Sequence, residues 1–120
     1  MKIVIHNIPP SNNKFLGKTT HYGEYQKVKR EWHWFIKAAI TEKPKEPYKK
    51  AIVEITYFFK DNRDRDPDNY SGKFILDALV KEGIIIDDNF KVISLWLYGK
   101  VDRENPRTEI NIQEVKNAIL

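Results

Sequence analysis

The sequence predicts an α+β domain in which two helices pack on one face of a mainly antiparallel sheet. Three observations lead to this prediction: a β-rich run at residues 51–59, apolar residues at helical spacing in residues 22–40, and two alternating segments near the end of the chain. The chain has 120 residues, which allows one hydrophobic core, since a domain commonly needs on the order of 100 to 150 residues. We therefore expect residues 1–120 to form a single domain.

The first half of the chain predicts a strand, a helix and a second strand. Residues 2–8 favour a strand, which Pro9 and Pro10 end because two prolines fix φ and remove hydrogen-bond donors. The helix at residues 22–40 has an apolar face whose members recur at three and four: Tyr25, Val28, Trp32, Phe35, Ile36, Ala39 and Ile40. A polar connection with two prolines then leads to the strand at residues 51–59.

The second helix has a start signal and a stop signal. Asp66 precedes Pro67 in the order preferred at a helix start, and Gly83 stands where a left-handed stop is expected, so a helix is predicted over about 68–82. Further strands are predicted after it, at residues 84–86, 92–101 and 108–115.

Composition excludes several classes of protein. The chain has no cysteine, which excludes disulfides, thiol catalysis and thiolate metal sites and agrees with a reducing compartment. No apolar run approaches the roughly 18 residues of a membrane span. We therefore expect a cytoplasmic protein that does not associate with membranes.

Charge is distributed unevenly along the chain. Residues 1–50 contain eleven Lys or Arg and four Glu, whereas residues 51–120 contain ten Lys or Arg and thirteen Asp or Glu. The basic half fits phosphate binding by Lys14, Lys18, Lys27, Lys29 and Arg30, with Tyr22, Tyr25 and Trp32 between them. An ordinary solvated surface explains the same charges, and charge by itself does not decide between the two.

Residues 61–69 carry four aspartates, and two more follow at Asp87 and Asp88. By itself the first group is explained by a solvated acidic turn with Asp66 as a helix cap. A calcium-binding EF-hand loop is excluded, because Asn69 would replace its required glycine and Ile75 its required glutamate.

The predicted elements allow these two acidic segments to meet. About fifteen helical residues run roughly 22 Å in one direction, and five extended residues return roughly 16 Å. Asp88 can therefore approach Asp66 and Asp68. Carboxylates without nearby His or Cys ligands suit Mg²⁺ or Mn²⁺ rather than zinc, and such ions serve phosphoryl chemistry. The three histidines, at positions 6, 21 and 33, have no metal-ligand spacing and are expected at the surface or in a satisfied core position.

Two short motifs in this order resemble the RusA family of Holliday junction resolvases. The first is Pro9-Pro10-Ser11-Asn12-Asn13 after the first strand; the second is Asp66-Pro67-Asp68-Asn69-Tyr70, followed by Lys73, Asp77-Ala78-Leu79 and Asp87-Asp88. The resemblance covers the chain from end to end. It implies a homodimeric nuclease, dependent on Mg²⁺ with Mn²⁺ as a substitute, that cuts four-way or branched DNA by paired nicks and is encoded by a bacterium or prophage.

The resemblance also assigns roles to individual residues. Essential carboxylates fall on Asp66, Asp68 and Asp88, with Asp87 as an auxiliary metal ligand or structural neighbour. Lys73 is the catalytic lysine, stabilising charge on the phosphate or leaving oxygen. DNA contacts are expected from the first motif and the basic half, at Asn12, Asn13, Lys14, Lys18, Lys27 and Arg30.

One residue departs from the family pattern. The lysine usually stands six residues after the first aspartate of the motif, where this chain has Gly72, and Lys73 follows one residue later. One extra residue near Ser71 and Gly72 explains the shift, because Lys73 keeps its four-residue step to Asp77. A solvated helix lysine is the other interpretation. The displacement gives weight to a junction-binding protein that has lost catalysis, and a general flap or fork nuclease is a third hypothesis.

Overall fold

A four-stranded sheet with two α-helices organises the part of the chain that the computed structural model describes, residues 1–15 and 22–116. The elements in order are β1 (Lys2–Ile5), α1 (Tyr22–Ala39), β2 (Ala51–Phe59), α2 (Lys73–Lys81), β3 (Ile93–Val101) and β4 (Arg107–Glu114). Two short 3₁₀ turns precede the helices: the first turn is Asn12–Phe15 and the second turn is Pro67–Tyr70.

The strands lie in the order β1-β4-β2-β3. β4 pairs antiparallel with both β1 and β2, whereas β2 pairs parallel with β3 from Ala51–Ile93 to Phe59–Val101. A parallel pair requires a crossover connection, and α2 lies in that connection. The sheet is therefore mixed but mainly antiparallel, and the predicted α+β class is confirmed.

One face of the sheet is buried under the helices. Every second residue of β2 is buried, and the residues between them are only half-buried. The core also includes Ile3, Ile5, Ile110 and Ile112 from β1 and β4, Trp32 and Ile36 from α1, and Phe74, Ile75 and Leu79 from α2. The alternation leaves the opposite face of the sheet open, which confirms that both helices lie on one side.

The apolar face predicted for α1 is confirmed. Trp32 and Ile36 are buried, and the other five predicted members pack against the core in half-buried positions. The helix ends at Ala39, one residue before the predicted end. No helix in the described residues is long and apolar enough to cross a membrane.

The prediction of a single helix over 68–82 was wrong at its start. Asp66 is extended and precedes the second turn, but its side chain makes no capping hydrogen bond. Gly72, with φ +81°, then separates this turn from α2. A Cβ on Gly72 would lie 2.6 Å from Ile55 Cδ1. The chain therefore passes so close to the sheet that it needs a glycine here, and the helix begins only afterwards.

Two predicted strands are also shorter in the structure. The first strand ends at Ile5 rather than at residue 8. Residues 84–86 form only a single parallel bridge, in which Ile85 pairs with Tyr48. Tyr48 N donates to Ile84 O at 2.8 Å and Ile86 N donates to Tyr48 O at 3.1 Å. Ile84 and Ile85 are buried. The apolar character of this run was therefore interpreted correctly, but the prediction that it forms a strand was wrong.

A charged contact joins the two helices at the end of α2. The buried Glu82 carboxylate accepts a hydrogen bond from His33 Nε2 at 2.6 Å and another from Lys43 Nζ at 3.0 Å. These contacts hold the pKa of Glu82 below its ordinary value, with the His33 hydrogen bond as the largest cause. His33 is thus a satisfied histidine, as the sequence predicts.

We predict that Gly72→Ala destabilises the protein much more than Gly83→Ala. Both glycines have positive φ, of +81° and +73°, which costs an alanine about 1 to 2 kcal/mol. Only the Cβ at position 72 meets Ile55, and such overpacking adds about 1 to 3 kcal/mol; nothing lies within 4 Å of a Cβ at position 83. Urea unfolding of both variants measures the difference, and equal losses would contradict the close approach.

We predict that Glu82→Gln destabilises the protein in a pH-dependent way. At neutral pH the lost charged hydrogen bonds should cost about 1 to 3 kcal/mol. The pKa of Glu82 is lowered in the folded state from the ordinary 4.5, so its contribution is present above that pH and is lost as the pH falls through the folded value. Unfolding free energies of wild type and variant should converge below pH 4.5. A gap that stays constant with pH would show that Glu82 is not stabilised as an anion.

Candidate active site

The loop between β2 and the second turn is fixed by Arg65. Its Nη2 donates to Asp61 Oδ1 at 2.7 Å and its Nη1 donates to Asp61 O at 3.1 Å. The guanidinium carbon also lies 4.2 Å from the centroid of the Phe59 ring. Arg65 is the largest cause that lowers the pKa of Asp61. Asp61 is therefore committed to an ion pair within its own loop.

The second turn contains Asp68, and Asp66 immediately precedes it. Tyr70 anchors it, with ring centroids 5.2 Å from Phe59 and 5.7 Å from Tyr57. Asp66 lines a cavity together with Leu97, Tyr98 and Gly99 of β3. Asp66 thus lies beside the edge strand β3.

Asp88 lies in the connection that leads into β3. Asp87 Oδ1 accepts the Asp88 backbone N–H at 2.7 Å, and Asp87 Oδ2 accepts a hydrogen bond from Asn89 Nδ2 at 3.2 Å. Burial is the largest cause that raises the pKa of Asp88, followed by its hydrogen bond with Asp87, and the charges of Asp77 and Asp87 act in the same direction. A backbone hydrogen bond acts in the opposite direction, and Asp88 is an exposed residue.

The two acidic segments lie along the same strand. Asp88 lines an open cavity that includes Leu76 and Leu95, and the cavity beside Asp66 includes Leu97. Leu95 and Leu97 occupy successive positions on one face of β3, which corresponds to about 7 Å along a strand. Asp66 and Asp88 therefore line separate cavities that both include residues of β3.

The structure does not present a complete set of metal ligands. Within residues 1–15 and 22–116, no three His, Asp or Glu side chains form a group that could hold a metal ion. The predicted approach of Asp88 to Asp66 required fifteen helical residues and a returning strand. Both predictions were wrong, since α2 has 9 residues and the return contains a single bridge. The joint site of Asp66, Asp68 and Asp88 stays a prediction.

Lys73 is the first residue of α2 and lies at the junction of the two helices. Its ammonium nitrogen is 5.3 Å from the centroid of the Tyr25 ring. The pKa of Lys73 is raised, chiefly by a hydrogen bond with Tyr25 and also by the charges of Tyr25 and Asp77. Asp77 in turn pairs with Lys29 at 3.6 Å. Gly72, with its left-handed φ of +81°, lies immediately before Lys73. This is the position at which the sequence predicts one extra residue relative to the family pattern.

The predicted DNA-binding residues divide into three groups. Asn13, Lys14, Lys27 and Arg30 are exposed. Lys18 lies outside the described residues, as does His21, which the sequence predicts at the surface or in a satisfied core position. Asn12 is half-buried, and its amide nitrogen donates to Asp68 O at 3.1 Å and to Ser71 Oγ at 3.0 Å. The sequence indicated Asn12 only through the first motif. It did not indicate a structural role for Arg65, because the partners of Arg65 depend on the tertiary fold.

The α+β fold, the aspartates beside β3 and the exposed cations of the first half are together typical of an enzyme that acts on nucleic-acid phosphates. A family model described as endodeoxyribonuclease RusA matches residues 7–113, so the chain belongs to the RusA family. No curated protein matches the chain. Membership indicates an endodeoxyribonuclease that acts on Holliday junctions, and it confirms the resemblance found in the two motifs.

Proposed function

We propose that this protein resolves four-way DNA junctions by paired symmetric nicks, using a divalent cation held by carboxylates. The observation that carries the proposal is the family match over residues 7–113, which includes both aspartate segments beside β3. Two symmetric cuts need two sites, so we propose a homodimer in which residues 1–120 of each copy form one nuclease domain. We further propose a bacterial or prophage origin and a cytoplasmic location.

The donor chemistry of the proposed site fits Mg²⁺ or Mn²⁺. Asp66, Asp68 and Asp88 offer hard oxygen ligands, and Asp87 is an auxiliary ligand next to Asp88. The raised pKa of Asp88 reflects burial and neighbouring negative charge, and a bound cation would relieve both. When bound, the cation would polarise the phosphate and lower the pKa of a water molecule.

Lys73 is proposed to act as a fixed positive charge. Because its pKa is raised, Lys73 remains protonated at neutral pH and is unsuited to act as a general base. An ammonium group can instead stabilise the charge that develops on the phosphate or the leaving oxygen. The exposed Lys14, Lys27 and Arg30, with Lys18, would hold the DNA backbone.

A junction-binding protein without catalysis is the second candidate. The displacement of Lys73 by one residue favours it, as does the contact that holds this lysine against Tyr25. Cleavage of a four-way junction, a flap and a linear duplex in Mg²⁺ separates the candidates. We expect cuts in the junction alone; binding without cuts would identify the second candidate, and cuts in the flap would identify a general structure-selective nuclease.

We predict that Asp68→Asn abolishes cleavage but preserves junction binding. The amide keeps the size of the side chain and removes an anionic ligand, so activity in Mg²⁺ should fall by orders of magnitude. Affinity in EDTA should not drop, because less negative charge faces the phosphates. The Asn12 contact is made to the backbone carbonyl of Asp68, so the substitution leaves this hydrogen bond in place.

The matched control is Asp64→Asn, which removes the same charge from an exposed position in the preceding loop. Its cleavage should stay close to that of wild type, and a thermal melt of both variants checks folding. Wild-type cleavage by a folded Asp68→Asn protein would overturn the site assignment. Loss of binding with a normal melt would instead place Asp68 on the DNA-binding surface.

We predict that Lys73→Ala lowers single-turnover cleavage by about 100-fold or more, because a charge aimed at the transition state is lost. Mn²⁺ binding without DNA should remain intact, since Lys73 is not a ligand. Lys81→Ala, at the other end of α2, is the matched control. A cleavage rate for Lys73→Ala within about threefold of wild type, roughly 0.7 kcal/mol in the barrier, would make Lys73 a bystander.

A further inference from the structure

The two motifs that the family resemblance rests on are in direct contact in the structure. The first turn, Asn12–Phe15, packs against the second turn, Pro67–Tyr70. The contact spans 56 positions of sequence at Asn12 and Asp68. It therefore joins the segment before α1 to the segment that carries two of the proposed ligands.

Asn12 makes the polar part of this contact. Its amide nitrogen donates to Asp68 O at 3.1 Å and to Ser71 Oγ at 3.0 Å. A primary amide has two N–H groups, so both can be used at once. Ser11 closes the turn around Asn12, because Ser11 O accepts the Lys14 N–H at 3.1 Å and Ser11 Oγ accepts the Asn13 N–H at 3.3 Å.

The second turn has little local support of its own. Asp66 makes no capping hydrogen bond with its side chain, and Gly72, which precedes α2, has no side chain to cap the helix. The backbone bond from Asn69 N to Asp66 O, at 3.0 Å, closes the turn. Short 3₁₀ segments have poor hydrogen-bond geometry, so contacts from elsewhere must define where Asp68 lies. Tyr70 supplies the apolar contact, and Asn12 supplies the polar one.

We propose that Asn12 is a positioning residue that fixes the Asp68-bearing turn for cation binding. The inference rests on the proposed role of Asp68 as a ligand. It assigns Asn12 an internal role in place of the DNA contact expected from the sequence. The role requires a donor of this length: a carboxylate at position 12 would face the Asp68 carbonyl oxygen with no proton to donate.

Hydrogen exchange of the full-length protein tests the positioning directly. In Asn12→Ala, amide exchange of a peptide covering residues 66–72 should rise about tenfold, in keeping with the loss of two hydrogen bonds of ordinary net strength. Exchange in residues 51–59 should not change. Asn111→Ala is the matched control, because Asn111 is an exposed asparagine of β4 outside the proposed site.

Binding of Mn²⁺ alone, measured by calorimetry, gives a second readout. The concentration for half-saturation should rise about fivefold or more in Asn12→Ala, and junction affinity in EDTA should stay within about twofold of wild type. Ser71→Ala removes one of the two acceptors and should change both readouts less, in the same direction. The double variant, Asn12→Ala with Ser71→Ala, should show the same exchange rate and Mn²⁺ midpoint as Asn12→Ala alone, because the two residues act through one contact.

Several outcomes would overturn the proposal. If exchange at residues 66–72 and the Mn²⁺ midpoint both stay within about twofold of wild type in a folded Asn12→Ala protein, Asn12 does not position the turn. If junction affinity in EDTA falls instead, Asn12 contacts DNA. Asn12→Ala could also unfold the chain, and the milder Ser71→Ala then decides by the same readouts. If wild type binds Mn²⁺ but does not cut junctions, the proposed nuclease function is wrong. The hydrogen-exchange result still tests whether Asn12 positions the turn.

Discussion

The parallel pairing of β2 with β3 is the constraint from which the arrangement of the site follows. Parallel neighbours cannot be joined by a tight turn, so the chain must cross over the sheet through α2. The connection that carries Asp66 and Asp68 leaves from the Phe59–Val101 end of this strand pair, and the connection that carries Asp88 enters at the Ala51–Ile93 end. Asp66 and Asp88 therefore line cavities toward opposite ends of β3.

Much of this fold could be predicted because its strands and α1 follow simple periodicity. The run at residues 51–59 matches β2 in full, and α1 differs from its predicted range by one residue. The start of α2 was missed because an extended Asp66 followed by Pro67 begins a 3₁₀ turn as readily as an α-helix. The left-handed Gly72 depends on its approach to Ile55, and local sequence does not encode that distance. Likewise, the buried run at residues 84–86 could not be told from a strand by hydrophobicity alone.

The sequence predicted which acidic residues belong to the candidate site, but it did not predict the contacts that hold them in position. Four aspartates in residues 61–68 look alike in sequence, yet Asp61 pairs with Arg65 whereas Asp66 lines a cavity beside β3. That distinction depends on Phe59, which stacks on the Arg65 guanidinium. The Asn12 contact is equally tertiary, because its partners belong to another segment. Motif spacing can identify candidate ligands, whereas their orientation is decided by such long-range contacts.

Electrostatic repulsion favours restraining the two acidic segments separately. Burial and neighbouring carboxylates raise the pKa of Asp88. Bringing further aspartates close to it without a cation would add to this electrostatic repulsion. Hydrogen bonds within Asp87–Asn89, and those from Arg65 and Asn12, restrain each acidic segment on its own. A bound cation would then supply the attraction that draws the segments together, and the negatively charged DNA phosphate would bind to that cation. Like charges held apart carry less repulsion than like charges held in contact, so restraining each acidic segment separately limits the repulsion among the aspartates.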